Sequence, residues 1–491
     1  MRYRVDARVG LAVLSAAGLA CGQPAGPSTA TPAGPAIRVV AVSTPGADTV
    51  TTEALVPLVV SARDSANRPV PNALIQVAVV SGIPEAATVR LTSPASPDGV
   101  ELIVANTDAQ GEIRLSVAFG RVAGTARVAI GPRAGTQRDT VRVTITPGGA
   151  AHVALAPRDT VLILGSSFAP QATVTDRFNN IRTAPVTFSA SSQSVTVSGS
   201  AATAAGYGQA ALRASISGAT DSINVTIVPD GTLAAFDERS NQIVLFRLDG
   251  SGLRALAPAE WHVAGVGIVW APDGDRLYVS KAAPQSHEIF ELDLQGHEQP
   301  VTPPPGAPLI NALWPSVTHD GQWIYFAGEP SSGDFDVWRV HPDGTGLVAF
   351  HIKDGPFDIA YAPSVSPDGL SVAYATSLFD QSDVRARSLV TGGRTGLALN
   401  GTFPAWSPMG DQIAFLEASR LLRLAAPAGS GARTLVSTST IVIGQIGWSP
   451  DGAWIVYRGD QTLELVAVAT GLVIPLPFAK GVGSPAWRPV P

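Results

Sequence analysis

Few residues in this chain stand at spacings that could do chemistry. The seven histidines, His152, His262, His287, His297, His319, His341 and His351, do not recur at metal-ligand intervals, and there is neither an H-E-x-x-H pair nor a paired-cysteine site. No G-x-S-x-G elbow presents a nucleophilic serine. Asp64, Asp108 and Asp176 sit in turn-like contexts, where an aspartate bonds its own backbone, and no dense carboxylate cluster marks a calcium site. What remains are polar and aromatic handles in AEWHVAG (259–265), PPPGAPLIN (303–311), HIKDGPFDIAY (351–361) and FAKGVGS (478–484). The candidate ligand-binding residues are therefore Trp261, His262, Asn311, Lys353, Asp354, Asp358 and Lys480, with no catalytic residue, metal or cofactor assigned.

Cys21 is the only cysteine, so no internal disulfide framework exists. Arg2, Arg4 and Arg8 precede the apolar run VGLAVLSAAGLA (9–20), which is shorter than the roughly 20 residues a membrane span needs and reads as a secretory signal over 1–21. With Cys21 following at once, the segment resembles the bacterial lipoprotein signal, although Gly18 stands where that family prefers Leu. The resemblance implies lipid attachment at Cys21, passage across the inner membrane and an outer-membrane lipoprotein facing the periplasm or the cell surface. Residues 22–36, GQPAGPSTATPAGPA, hold no charge or large side chain and are expected to be a disordered tether.

These positions need elements to place them, and composition says which kind. Apolar residues make up 45% of the 491 and charged ones 15%, enough for several buried cores, while 49 Gly and 40 Pro favour a turn-dense all-β chain. The net charge of −6 leaves no basic footprint for nucleic acid. From 37 to 148 short alternating strands such as ALVPLVVSARD and GEIRLSVAF predict a β-sandwich. Here Asp64, Pro69, Val70, Pro71, Asn72 and Ala73, followed by Thr107, Asp108 and Gly111, resemble bacterial Ig-like domains of the invasin/intimin type, with Asn67 in place of a Gly. Residues 149–228 repeat the pattern in shorter form and resemble a second class of bacterial Ig-like module. Both resemblances imply spacers or binding modules.

Self-similarity dominates the rest. VWAPDGDRLYVS, SVTHDGQWIYFAG, SVSPDGLSVAYATS, AWSPMGDQIAFLE and GWSPDGAWIVYRG align on Gly274, Gly321, Gly369, Gly410 and Gly452, a period of roughly 40–50 residues that indicates propeller blades. Pro and Asp suit the first turn positions and Gly the left-handed one that closes each hairpin. A sixth unit begins at Pro229-Asp230-Gly231 but lacks the preceding strand, and SPAWR (484–488) supplies it. The C-terminal strand is thus expected to close a six-bladed ring over 229–491, removing the edge that an open array leaves. The P-x-W-S-P-D-G repeat resembles the TolB-like propeller of envelope proteins over 231–491, where that family carries an α/β domain ahead of its propeller and this chain two sandwich-like modules.

The innermost strands, GIVWA, ALWPSV, YAPSV, FPAWS, QIGWS and SPAWR, would line the channel and carry no ionisable group but Arg488 and Tyr361. Propeller lyases and glycosidases need carboxylates or histidines there, so the expectation is a non-enzyme. The reading is all-β: two Ig-like sandwiches as spacers and a six-bladed propeller that binds an envelope protein or peptide as a lipid-anchored monomer. A glycan-binding adhesin and a channel-site hydrolase or lyase are the alternatives.

Overall fold

The computed structural model describes residues 38–43, 49–51, 53–80, 89–256, 267–283, 286–302, 309–330, 334–353, 358–378, 381–437 and 444–490. The signal, Cys21 and the tether lie outside them. Every regular element among the described residues is a β-strand. The chain divides into two compact units, Met1–Gly149 with Asp176–Asn180, and Ala150–Thr175 with Ile181–Pro491.

The first unit is a sandwich of two five-stranded sheets. Along Glu112–Phe119 the residues Ile113, Leu115, Val117 and Phe119 are buried and alternate with more accessible ones, so one face of the strand feeds the core with Leu58, Val60, Ile75, Val77 and Ile130. Two hairpins here, and a third at Asp176–Asn180, use one device. Asp64 Oδ1 accepts the Ala66 and Arg68 N–H groups, Asp108 Oδ1 those of Gln110 and Glu112, and Asp176 Oδ1 those of Phe178 and Asn180. The residue three places after each aspartate is left-handed: Asn67 (φ 61°), Gly111 (φ 73°) and Asn179 (φ 66°). Asn tolerates this conformation almost as Gly does, which explains Asn67 at a glycine position. Asp176 is fully buried, and its Oδ2 accepts Gly148 N at 2.8 Å and Asn180 Nδ2 at 2.8 Å. Burial opposes its ionisation, but these hydrogen bonds outweigh it and hold the carboxyl below its ordinary value.

In the second unit a smaller sandwich comes first. Asp159–Ile163, Ala219–Val228, Gly208–Ile216 and Thr187–Ala190 form its main sheet, and Leu212, Ala214, Ile223, Val225 and Ile227 lie in its core. Six four-stranded blades of a propeller follow, blades 2 and 3 being joined into one eight-stranded sheet by a bridge between His287 and Asn311. Blade 1 joins Thr232–Asp237, Gln242–Arg247 and Arg254–Ala255 to Val482–Trp487, with Leu233 opposite Trp487 and Ala234 opposite Ala486. Blades 2 to 6 open with Ile268–Trp270, Asn311–Val317, Ile359–Val365, Gly401–Trp406 and Gly447–Trp448, and each continues outward through three more strands. Six apolar cores separate the blades pairwise, as where Tyr325 and Val337 of blade 3 meet Val372 and Tyr374 of blade 4.

The blades are also stitched by hydrogen bonds. Trp270 Nε1 donates to Ala486 O (3.1 Å) and Trp448 Nε1 to Ala405 O (3.0 Å), each reaching the blade before it. Gly274, Gly321, Gly369, Gly410 and Gly452 have φ between 68° and 76°, as a hairpin in this register requires. Gly231 differs: its φ is not positive. No hairpin has to be closed there, because the inner strand of blade 1 comes from residues 482–487, and a β-carbon on Gly231 would instead meet the Trp487 indole. The small sandwich runs directly into the propeller. Val228 and Val161 join the core shared by blades 1 and 6, and Tyr207 packs edge-on against Trp454 of blade 6 (centroids 4.9 Å apart, 77°).

Candidate functional site: the propeller channel

A strand running toward the axis of a propeller has a free inner edge, with backbone groups that nothing in its own sheet can pair. How the chain deals with that edge builds the site. Counting back from the turn glycine, the residue seven places before is Gly267, Trp314, Ala362, Phe403 and Gln445 in blades 2 to 6, and Ser484 holds the same place in blade 1. Four of these are left-handed without being glycine: Trp314 (φ 53°), Ala362 (φ 47°), Phe403 (φ 49°) and Ser484 (φ 48°). Each is followed by proline, namely Pro315, Pro363, Pro404 and Pro485, and each strand slips register at this point, as between Leu313 and Ser316. Proline removes one inward N–H outright, and the bulge turns the preceding side chain.

Two serines and a glutamine deal with other inward groups. Val365 N donates to Ser316 Oγ (3.0 Å) of the neighbouring blade and Trp406 N to Ser364 Oγ (2.9 Å). Gln445 Oε1 accepts Ile268 N at 2.8 Å while its Nε2 donates to Ile268 O at 2.7 Å, so one amide pairs both backbone groups of a strand two blades away.

The result is a channel of about 420 Å³ lined by all six inner strands. At one end stand Trp314 and Phe403, with ring centroids 6.5 Å apart, and Tyr361 and Phe335 back Trp314 at 5.6 and 6.3 Å. Five residues along the strands, about 16 Å at 3.3 Å each, a ring of Pro272, His319, Pro367, Pro408, Pro450 and Pro489 forms the other end. Among the described residues that line it none is an aspartate, glutamate, lysine or arginine, and His319 is their one ionisable group. Arg488 is drawn outward, where its Nε donates to Gly274 O (2.7 Å) and Nη2 meets Asp275 (3.2 Å).

Of the residues singled out from sequence, Trp261, His262 and Asp354 lie outside the described residues. Asn311 is engaged within the sheets: its Oδ1 accepts His287 N (2.8 Å) and its Nδ2 bonds Glu329. Lys353 is ion-paired with Asp334 and mostly buried. Asp358 is buried, and burial pushes its carboxyl pKa up, helped by Asp383, while Arg385 and Lys353 pull it down. Lys480 ends an outer strand of blade 6 with its side chain exposed and its carbonyl taken by Arg239. None of these four lines the channel. The residues that do, above all Trp314 and Phe403, were missed as site residues. A signal existed: a residue followed by proline at the same register in LWP, YAP, TFP and GSP. Among the described residues no group of three or more His, Cys, Asp or Glu side chains could hold a metal ion.

No family model matches this sequence, and no curated protein matches it. Solved structures do. The chain is similar to TolB from Acinetobacter baumannii, at 13% identity, over 69% of this chain and 100% of that one, with a TM-score of 0.45. It is similar to a nidogen/laminin complex chain at 13% identity over 53% of this chain and 98% of that one (TM-score 0.42). An oligogalacturonate lyase in complex with manganese matches at 14% identity over 50% of this chain and 72% of that one (TM-score 0.34).

Proposed function

We propose that this chain is an envelope-anchored binding protein whose propeller channel receives an extended segment of a partner protein. The observation that carries the reading is the channel wall: a bore uncharged among the described residues, with Trp314 and Phe403 held at one mouth on left-handed residues before proline. Such conformations cost of order 1–3 kcal/mol each and collect where a side chain must be aimed. The described lining suits binding better than acid–base catalysis, because its residues include no pair of groups to give and take a proton. The sandwiches serve as spacers. Arg2, Arg4, Arg8, the apolar run 9–20 and Cys21 support attachment through a lipid on Cys21.

Two experiments test this. A photo-crosslinking residue placed at Phe403 of the full chain, expressed in a bacterial envelope, should trap one partner protein, and the adduct should be lost in Trp314→Gly. Unchanged trapping in that variant removes the channel from the interaction. Metabolic labelling with an alkyne fatty acid should mark the wild type and leave Cys21→Ser unmarked.

A further inference from the structure

We infer that the segment taken by the channel is uncharged and proline-bearing, an extended polyproline-II stretch. This rests on the channel reading above and adds the chemistry of the ligand. Three features of the wall lead to it.

The first is charge. A lysine or glutamate carried into the bore would leave water and find no counter-charge among the described lining residues.

The second is the hydrogen-bond inventory. The polar groups of the wall are mostly spent: Thr318, Ser407 and Ser449 donate to Asp320, Asp411 and Asp451, Gln445 is used at both ends by Ile268, and the indoles of Trp270 and Trp448 are bonded to carbonyls. Ser316 and Ser364 each accept one backbone N–H, which leaves the hydroxyl proton for a second partner. The wall thus offers donors to a ligand that brings carbonyls. An ordinary β-strand cannot add to the inner edges, because Pro315, Pro363, Pro404 and Pro485 have no N–H to give. An oligosaccharide brings several hydroxyls per ring and would leave most unpaired. A proline-bearing segment brings carbonyls, few N–H groups and an extended shape that needs no internal pairing.

The third is the aromatic mouth. Trp314 and Phe403 are inclined at 73°, so their faces open a wedge instead of a stack. Aromatic walls of this kind are how proteins hold the rings of polyproline-II ligands.

The test uses the full chain and fluorescent synthetic peptides: Ala-Pro-Pro repeats, the same with one central Glu or Lys, and a proline-free Ala-Thr-Gln repeat, with maltohexaose as a neutral sugar. The Ala-Pro-Pro peptide should bind, roughly tenfold or more tighter than its charged versions and its proline-free counterpart. A benzophenone on that peptide should crosslink to the inner strands of the wild type, a readout that needs no variant to fold. Binding should be lost in Trp314→Gly and retained in part in Trp314→Phe. Equal binding of charged or proline-free peptides, still crosslinked at the channel, overturns this inference and leaves the channel reading standing. Binding of maltohexaose with no peptide bound, or no binding by any probe, overturns both.

Discussion

The indole of Trp487 occupies the space that a β-carbon on Gly231 would need, with Nε1 2.6 Å and Cε2 2.8 Å from that position. The two residues are far apart in sequence and meet at the seam where blade 1 is completed. Gly231→Ala should therefore destabilise the propeller by about 1–3 kcal/mol, the usual cost of overpacking a filled site. All nine tryptophans fall at or after residue 261, so tryptophan fluorescence during urea unfolding reads this seam without interference from the sandwiches. An unchanged midpoint would mean that the indole moves aside freely.

Trp314 separates strain from packing. At φ 53° alanine keeps the backbone penalty that glycine avoids, although neither retains the ring contacts with Phe335, Tyr361 and Phe403. Trp314→Gly should be more stable than Trp314→Ala by about 1 kcal/mol. The reverse order in thermal melts would refute the claim that this bulge stores strain.

Asp176 gives the first unit a specific acid sensitivity. Its folded pKa lies below the ordinary 3.8, so its contribution is fully present above that value and is lost as pH falls through the folded one. The window is the acid side of 3.8. Asp176→Asn keeps one oxygen for the Phe178 and Asn180 N–H groups but sets an amide nitrogen against the Gly148 N–H and the Asn180 amide donor, and should cost about 1–3 kcal/mol near neutral pH. Urea midpoints followed by far-UV circular dichroism from pH 7 to pH 3 should fall less steeply in the variant than in the wild type. Parallel curves would show that Asp176 does not set the slope.

The small sandwich and the propeller should unfold as one body. Tyr207 against Trp454, and Val228 and Val161 in the core of blades 1 and 6, tie them together. Tyr207→Ala should lower propeller stability by about 1–2 kcal/mol, read again by tryptophan fluorescence. A chain begun at residue 229 should melt below one begun at 150. Identical melting would make the sandwich a mere neighbour.

The repeats and their hairpin glycines were legible because only glycine fits φ near 70° at no cost, so the geometry writes itself into residue type at a fixed period. Asn67 was readable for a related reason, as the next best residue for a left-handed turn. The site was not. Asn311 and Lys353 look like free handles in sequence, yet their partners Glu329, His287 and Asp334 lie on other strands or loops, positions that only the sheet register brings together. Gly231 sits in a Pro-Asp-Gly string like the true turns, but its work is steric and its partner arrives from residue 487. Trp314 and Phe403 stood in strands expected to line the channel, but that their rings gather at one mouth depends on the left-handed bulge before proline, which residue type alone does not announce.

The strand Val482–Trp487 also sets the order of events during synthesis. Four of the six inter-blade cores draw nothing from it and can form as the chain emerges, while the two that flank blade 1 take in Ala486 on one side and Val482 and Trp487 on the other, and Leu233 and Ala234 keep an open edge until the residues opposite them have been made. For that interval the nascent protein carries a bare β-edge next to its first blade, a natural landing place for a chaperone. A translation product truncated before residue 482 would stay in that state permanently, with the inner edge of blade 1 left open to quality-control proteases.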